Sequence, residues 1–306
     1  MPFASPTSPR LAGLSPNTLG SLYMVIGSLG YVTNDALIRE ATEEGLDVYQ
    51  ALCLRGIAMS VLFAAATRLS VERFTLDRVT RPLVVRVAAE LVGTALFFAA
   101  IVRLDFANAQ TILLIVPFAV TLAAALVLGE SVSVRRYLTV LVGFLGVLLV
   151  VQPATDEFSF WSLAVVASAA CLTVREFATR RIPSDIPASL VALITAVSIT
   201  IMTGCLAYFT GWNAVTPKAW MLVLLACLCL TVGYVFAIQT VRVGDLSVSA
   251  PFRYTTLIGA VVLGYAFFAE IPDTLTIVGC VVILLAGLSS IHLERRASRR
   301  ATTAVT

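Results

Sequence analysis

A chain of 306 residues that is 59% hydrophobic and only 13% charged, with a mean hydropathy of +0.95, cannot be an ordinary soluble domain, in which about a quarter of the residues are charged. It reads as an integral membrane protein with little soluble mass. The formal charge of +3 says little in itself, and no nucleic-acid partner is expected.

The N-terminal stretch, with Pro2, Pro6, Pro9, Pro16 and Arg10, reads as a short disordered tail over residues 1–17. The apolar run after it lacks a small-residue cleavage site and is long enough to span, so it reads as a first transmembrane helix rather than a signal peptide. Ten spans follow in order: Thr18–Ile38, Val48–Leu69, Pro82–Val102, Ala107–Leu128, Tyr137–Gln152, Phe160–Thr179, Pro187–Thr210, Ala219–Val241, Ser247–Ala269 and Thr274–Ile291. Tyr137–Gln152 is the shortest. The connections are tight turns marked by Gly, Pro or charge, as between antiparallel neighbours in an all-α bundle. Residues 292–306 form a basic tail.

Basic residues set the orientation. Arg10, Arg68, Arg73, Arg78, Arg81, Arg135, Arg136, Arg180, Arg181, Arg242 and the group Arg295, Arg296, Arg299 and Arg300 fall on one side. The other side holds Arg39, Arg103 and Lys218 with acids such as Glu43, Glu44, Asp47, Asp156 and Glu157. The positive-inside rule then puts both termini in the cytoplasm. Trp161, Trp212 and Trp220 fall at span ends on the outer side, as interface anchors.

The two halves repeat. Arg103-Leu104-Asp105 precedes a span ending at Gly129-Glu130, with Gly143 and Gly146 in the next. Arg242-Val243-Gly244-Asp245 precedes a span ending at Glu270, with Gly279 and Gly287 in the next. Arg to Glu is 27 residues in the first copy and 28 in the second. Five helices per copy is an odd number, so residues 18–152 and 160–291 form inverted repeats, which place a solute site near the midplane between them.

Ten spans as five plus five, with Gly-Glu or Ala-Glu after the fourth and ninth, resemble the EamA-type branch of the drug/metabolite transporter superfamily over nearly the whole chain. Asn34-Asp35, Arg55-Gly56, Ala250-Pro251-Phe252-Arg253-Tyr254 and Glu270-Ile271-Pro272-Asp273 are similar to a bacterial subgroup that includes riboflavin transporters and S-adenosylmethionine uptake carriers. The resemblance implies a secondary carrier of a small organic metabolite in the inner membrane. Other members of the branch export amino acids or drugs. A channel and an intramembrane enzyme are the readings from other classes. Against an enzyme, the sole histidine is His292, beyond the last span, and neither a Gly-x-Ser-x-Gly element nor a nucleotide loop is present. No cofactor or metal is expected. Cys53, Cys171, Cys205, Cys227, Cys229 and Cys280 lie in apolar runs and read as packing residues.

Polar groups inside spans mark the translocation candidates, because a charge at the bilayer centre costs about 2.5–3.5 kcal/mol on insertion scales. These are Asn34 and Asp35, Arg55, Arg86 with Glu90, and Arg253 with its neighbours Phe252 and Tyr254. Arg86 and Glu90 share a helix face at a spacing that lets them pair, and Glu90 is deep enough to bind a coupling proton. Arg175 and Glu176, near a span end, read as structural. Pro251 removes a donor early in the ninth span and loosens its first turn. Arg253 offers a planar fork to a carboxylate, a phosphate or a ring carbonyl, or else snorkels to headgroups. The bilayer and a small metabolite are the expected partners. Tyr23, Tyr31, Phe97, Phe98, Phe118, Tyr234, Phe252 and Tyr254 are available to stack on a planar substrate.

Overall fold

The computed structural model describes residues 15–69, 79–128, 134–152, 159–183, 186, 188–243 and 246–303. The proposed 1–17 tail, Glu130, and the Arg residues at 73 and 78 fall largely or wholly outside them. Every regular element among the described residues is helical: α1 (Pro16–Glu43), α2 (Val48–Leu69), α3 (Arg81–Ile101), α4 (Phe106–Leu113), α5 (Val116–Leu128), α6 (Val134–Val151), α7 (Phe160–Arg180), α8 (Ala188–Thr210), α9 (Pro217–Val243), α10 (Leu246–Ser249), a 3-10 segment (Ala250–Tyr254), α11 (Thr255–Phe268) and α12 (Thr274–Thr303). Together they make ten passages. Seven are long and apolar enough to cross a membrane, and Tyr137–Val151 and Thr274–Ser290 are shorter apolar runs. α1 has the length, 28 residues, but Asn34, Asp35, Arg39 and Glu40 dilute its apolar character. The last helix runs on to Thr303, so the basic segment expected as a tail is largely an extension of α12.

Helix starts follow local chemistry. Ser15 caps α1, its Oγ accepting from the Thr18 N–H at 3.2 Å, with Pro16 at the first helical position. Two passages, the fourth and the ninth, are broken: the fourth was expected as one continuous helix, and in the ninth the loosened turn expected at Pro251 is a 3-10 segment. In the fourth, Pro117 lacks the N–H that would reach the Leu113 carbonyl, and its ring crowds that carbonyl. The chain tightens instead, with the Leu114 N–H on the Thr111 carbonyl at 3.0 Å and the Ile115 N–H on the Ile112 carbonyl at 3.1 Å. In the ninth, Pro251 does the equivalent, and the 3-10 segment runs to Tyr254. Leu114 stands 16 residues before Glu130, and Tyr254 stands 16 before Glu270. The breaks therefore occupy equivalent places in the two repeats, although the prolines do not.

Helix pairing obeys the same pseudo-symmetry. α1 packs along α9, and its repeat equivalent α7 packs along α3. α1 also meets α11, as α7 meets α4 and α5. α2 with α8, and α6 with α12, are pairs of mutually equivalent helices on the symmetry axis. All the most extensive contacts thus run between the repeats. Small residues allow these close crossings. Gly27 and Gly30 of α1 lie against Gly233 and Ala237 of α9, and Gly146 of α6 lies against Gly279 of α12. A Cβ at Gly30 would stand 2.9 Å from the Cys229 carbonyl oxygen and the Gly233 nitrogen, both backbone atoms. Gly30→Ala is therefore expected to force α1 and α9 apart and cost about 1–3 kcal/mol. A detergent melting curve reads this as a lowered Tm, and an unchanged Tm would show that the crossing is not tight. Outside the bundle, Leu126, Leu141, Leu224, Leu228, Ile258 and Val262 are exposed, an apolar coat suited to lipid.

Candidate functional site

The end of the bundle where α1 finishes and α12 begins, here the distal end, is tied shut by bonds between the repeats. α11 ends on Ala269, whose left-handed φ of 52° turns the chain back, and the Glu270 N–H bonds the Gly264 carbonyl at 3.1 Å. That turn aims the Glu270 side chain at two partners. Arg39 Nη2 donates to Oε1 at 2.5 Å, and the Phe106 backbone N–H, at the start of α4, donates to Oε2 at 2.6 Å. Arg39 also lies over the Phe268 ring at 4.1 Å, and the Phe106 and Phe268 rings are 5.7 Å apart. Burial raises the Glu270 carboxyl above the ordinary glutamate range, and the bonds from Phe106 and Arg39 offset this only in part. Gln152 Nε2 donates to Asp273 Oδ2 at 2.8 Å, and Thr276 Oγ1 donates to Asn108 Oδ1 at 3.1 Å.

Deeper in the bundle, a relay links α2, α1 and α4. Arg55 Nη1 donates to Asn34 Oδ1 at 3.0 Å, and Asn34 Nδ2 donates to Asp35 Oδ1 at 2.9 Å. Gln110 Nε2 donates to the other Asp35 oxygen at 2.8 Å. The guanidinium also faces the Phe98 ring at 5.3 Å. Arg55 and Asn34 are buried and Asp35 is half-buried, and the two charges of the relay face each other through an amide.

A third set of polar side chains gathers between the α1/α9 pair and the α3/α7 pair, within electrostatic reach of one another, and the region they share is called here the cleft. On one wall, Arg175 Nη1 binds both Glu90 oxygens, at 3.2 and 3.0 Å, and its Nη2 binds Glu176 Oε1 at 2.6 Å. Arg86 Nη1 donates to Thr195 Oγ1 at 2.6 Å, while its Nε is buried without a partner among the described residues. On the other wall stand Tyr31 of α1 and Tyr234 of α9. Tyr31 lies within electrostatic reach of Tyr234, Arg175, Arg253 and Glu90, and Tyr234 within reach of Arg86, Glu90 and Arg175. Tyr31 is 36% exposed although it sits mid-helix, and Arg253 is exposed as well.

The structure thus brings most of the expected residues together but alters their partners. Arg86 and Glu90 share a face without bonding each other, because Glu90 is claimed by Arg175 from the opposite repeat. Arg175 and Glu176, read from sequence as structural, join the Glu90 group through their ion pairs. Arg253 lies on the cleft, Phe252 is exposed, and Tyr254 is buried. Phe97, Phe98 and Phe118 are core, and Tyr23 packs edge-on to Phe236. The sequence reading missed Arg39 and Gln110. The acid that ends the ninth span was a signal for Arg39, since a carboxylate at a helix end seeks a donor.

An all-helical bundle of ten passages in two inverted repeats, with broken helices at equivalent points and a charged cleft between them, defines a multi-pass membrane transporter rather than an enzyme. The model of the EamA-like transporter family matches residues 18–152 and 159–290, and the chain belongs to that family. It is similar to the pseudopaline exporter CntI of Pseudomonas aeruginosa, at 27% identity over 87% of this chain and 94% of the relative. It is also similar to the riboflavin transporter of Rhizobium johnstonii, 26% identical over 70% of this chain and 71% of that one. The S-adenosylmethionine uptake transporter of Rickettsia prowazekii is 25% identical over 59% and 61%. One solved crystal structure shares the fold, with a TM-score of 0.65 at 17% identity over 90% of this chain and 99% of the other.

Proposed function

We propose that the protein is a secondary carrier that moves a small organic metabolite across the bacterial inner membrane by alternating access. The observation that carries this reading is the contrast between the distal end, closed by Glu270, and the cleft, whose two walls present polar groups to each other. Since the tightest packing runs between repeats, the moving units are not the sequence halves. They are α1 with α9 and α11 on one side, and α7 with α3, α4 and α5 on the other. These units are pseudo-symmetric, and the broken fourth and ninth passages supply hinges at equivalent points. Positive-inside bias puts the termini in the cytoplasm, so the closed distal end faces outward and the cleft serves the cytoplasmic side.

The cleft residues Glu90, Arg86, Arg175, Arg253, Tyr31 and Tyr234 bind the substrate in this reading, with Phe252 at the rim. Tyr254 packs behind Arg253, and Asn34, Asp35 and Arg55 hold the middle of α1. The relatives name three cargoes, pseudopaline, riboflavin and S-adenosylmethionine, and these form the first panel to test. Purified protein in proteoliposomes is expected to accumulate a panel member against its gradient and to lose accumulation when an uncoupler is added. Equilibration that never exceeds the external concentration would indicate a channel. For topology, a reporter after Arg300 is expected to read cytoplasmic and one between Glu43 and Asp47 external. A C-terminus that reads external would overturn the sidedness.

A further inference from the structure

We infer that the cleft is an anion site whose cargo carries an ionised carboxylate or phosphate, held by Arg86 and Arg253; this rests on the carrier reading above. The argument is one of charge and partner. Around the cleft stand three guanidinium groups, Arg86, Arg175 and Arg253, and two carboxylates, Glu90 and Glu176. Arg175 takes both carboxylates for itself, at 3.0 Å to Glu90 and 2.6 Å to Glu176. Arg55 and Asp35 offset each other within their own relay. That leaves Arg86 and Arg253 without a carboxylate at salt-bridge distance among the described residues, and the cleft with a surplus of one positive charge.

Arg86 is the more telling of the two. It is half-buried in α3, where an unpaired guanidinium is costly. Among the described residues, the one side-chain acceptor bonded to it is the neutral hydroxyl of Thr195. Glu90 sits one helical turn away but is turned to Arg175. A guanidinium kept in a transporter cleft with its natural partner engaged elsewhere is complementary to an incoming anion. Arg253, in the broken ninth passage, lies within electrostatic reach of Tyr31, as Arg86 does of Tyr234, and the two cations belong to opposite moving units. An anion bound to both would draw the walls together, while a neutral cargo would leave the surplus charge between them. Tyr31 and Tyr234 add phenolic donors and ring faces, which suits an anion attached to a planar body.

Ligand-dependent melting of the detergent-purified full chain tests this directly. The probes are inorganic phosphate, benzoate and flavin mononucleotide, with benzamide and riboflavin as the neutral counterparts, all at constant ionic strength. At least one anion is expected to raise Tm saturably, and the neutral counterparts are expected to do so at least tenfold more weakly. Phosphate against benzoate separates the two head groups. Arg253→Gln removes an exposed side chain that has no bonded partner among the described residues and should fold normally. It is expected to weaken anion binding by about ten- to a hundredfold, the loss of a charge-assisted hydrogen bond. Arg86→Gln should do the same, with Arg86→Lys retaining part of the binding. The inference falls if no anion stabilises saturably, if neutral probes do equally well, or if both Gln variants bind like the parent. Accumulation of neutral riboflavin in proteoliposomes without any anion binding would overturn the anion site and leave the carrier reading intact.

Discussion

Glu270→Ala is expected to open the distal end and to lower Tm, at a cost of about 3 kcal/mol. Removing the carboxylate leaves two donors unanswered at once. Arg39 has a side chain only 11% exposed and retains Glu43, at 3.7 Å, as its remaining carboxylate. The Phe106 N–H has no helical partner, because it is at the start of α4. Since Arg39 and Glu270 belong to one moving unit and Phe106 to the other, the bond that decides opening is the one to Phe106. The measurement is labelling of Asn108→Cys by an impermeant maleimide, in a background stripped of other reactive thiols. Glu270→Ala should raise the rate severalfold, and an unchanged rate would show that Glu270 is not the fastening.

The same carboxyl gives a pH dependence with a definite sign. Burial raises Glu270 in the closed arrangement, whereas in an open, hydrated arrangement it would return to about the ordinary value near 4.3. The closed state therefore binds the proton more tightly in the window between the two. Falling pH through that window favours closure and rising pH favours opening. Labelling of Asn108→Cys should slow as the pH falls through the window, and Glu270→Gln should abolish the slope.

Arg55→Leu is the second large effect, at about 3 kcal/mol, because it leaves the half-buried Asp35 charge without its cation. The amides of Asn34 and Gln110 would still bond the carboxylate, but nothing would balance it. Adding Asp35→Asn, which keeps an acceptor and removes the charge, is expected to restore most of the stability. Melting curves of the two single variants and the double give the coupling energy. If the effects simply add, Arg55 and Asp35 are independent and the relay has no energetic meaning.

The passages were legible because lipid imposes a simple rule: a span is, in most cases, a long apolar helix. The repeat was legible from Gly-Glu and Ala-Glu at matching distances. Partners were less so. Helical spacing placed Arg86 and Glu90 on one face, but which cation holds Glu90 depends on α7 from the other repeat, and spacing within one helix carries no such information. Arg39 and Glu270 are 231 residues apart, joined only by the fold. The break in the fourth passage did have a local signal. Pro117 stands inside an apolar run, and the same physics read correctly at Pro251 applied there too.

The interlocking of the halves has a consequence for how the protein is made. When the first five passages have left the ribosome, α1 has no α9, α3 has no α7, and α6 has no α12. The glycine faces at Gly27, Gly30 and Gly146 meet lipid instead of a partner helix. The first half must wait in the bilayer as separately inserted helices, and its assembly is timed by synthesis of the second. Each half supplies the other's missing packing surface, so a chain cut near residue 155 should yield two fragments that are unstable alone and recover one another when made together.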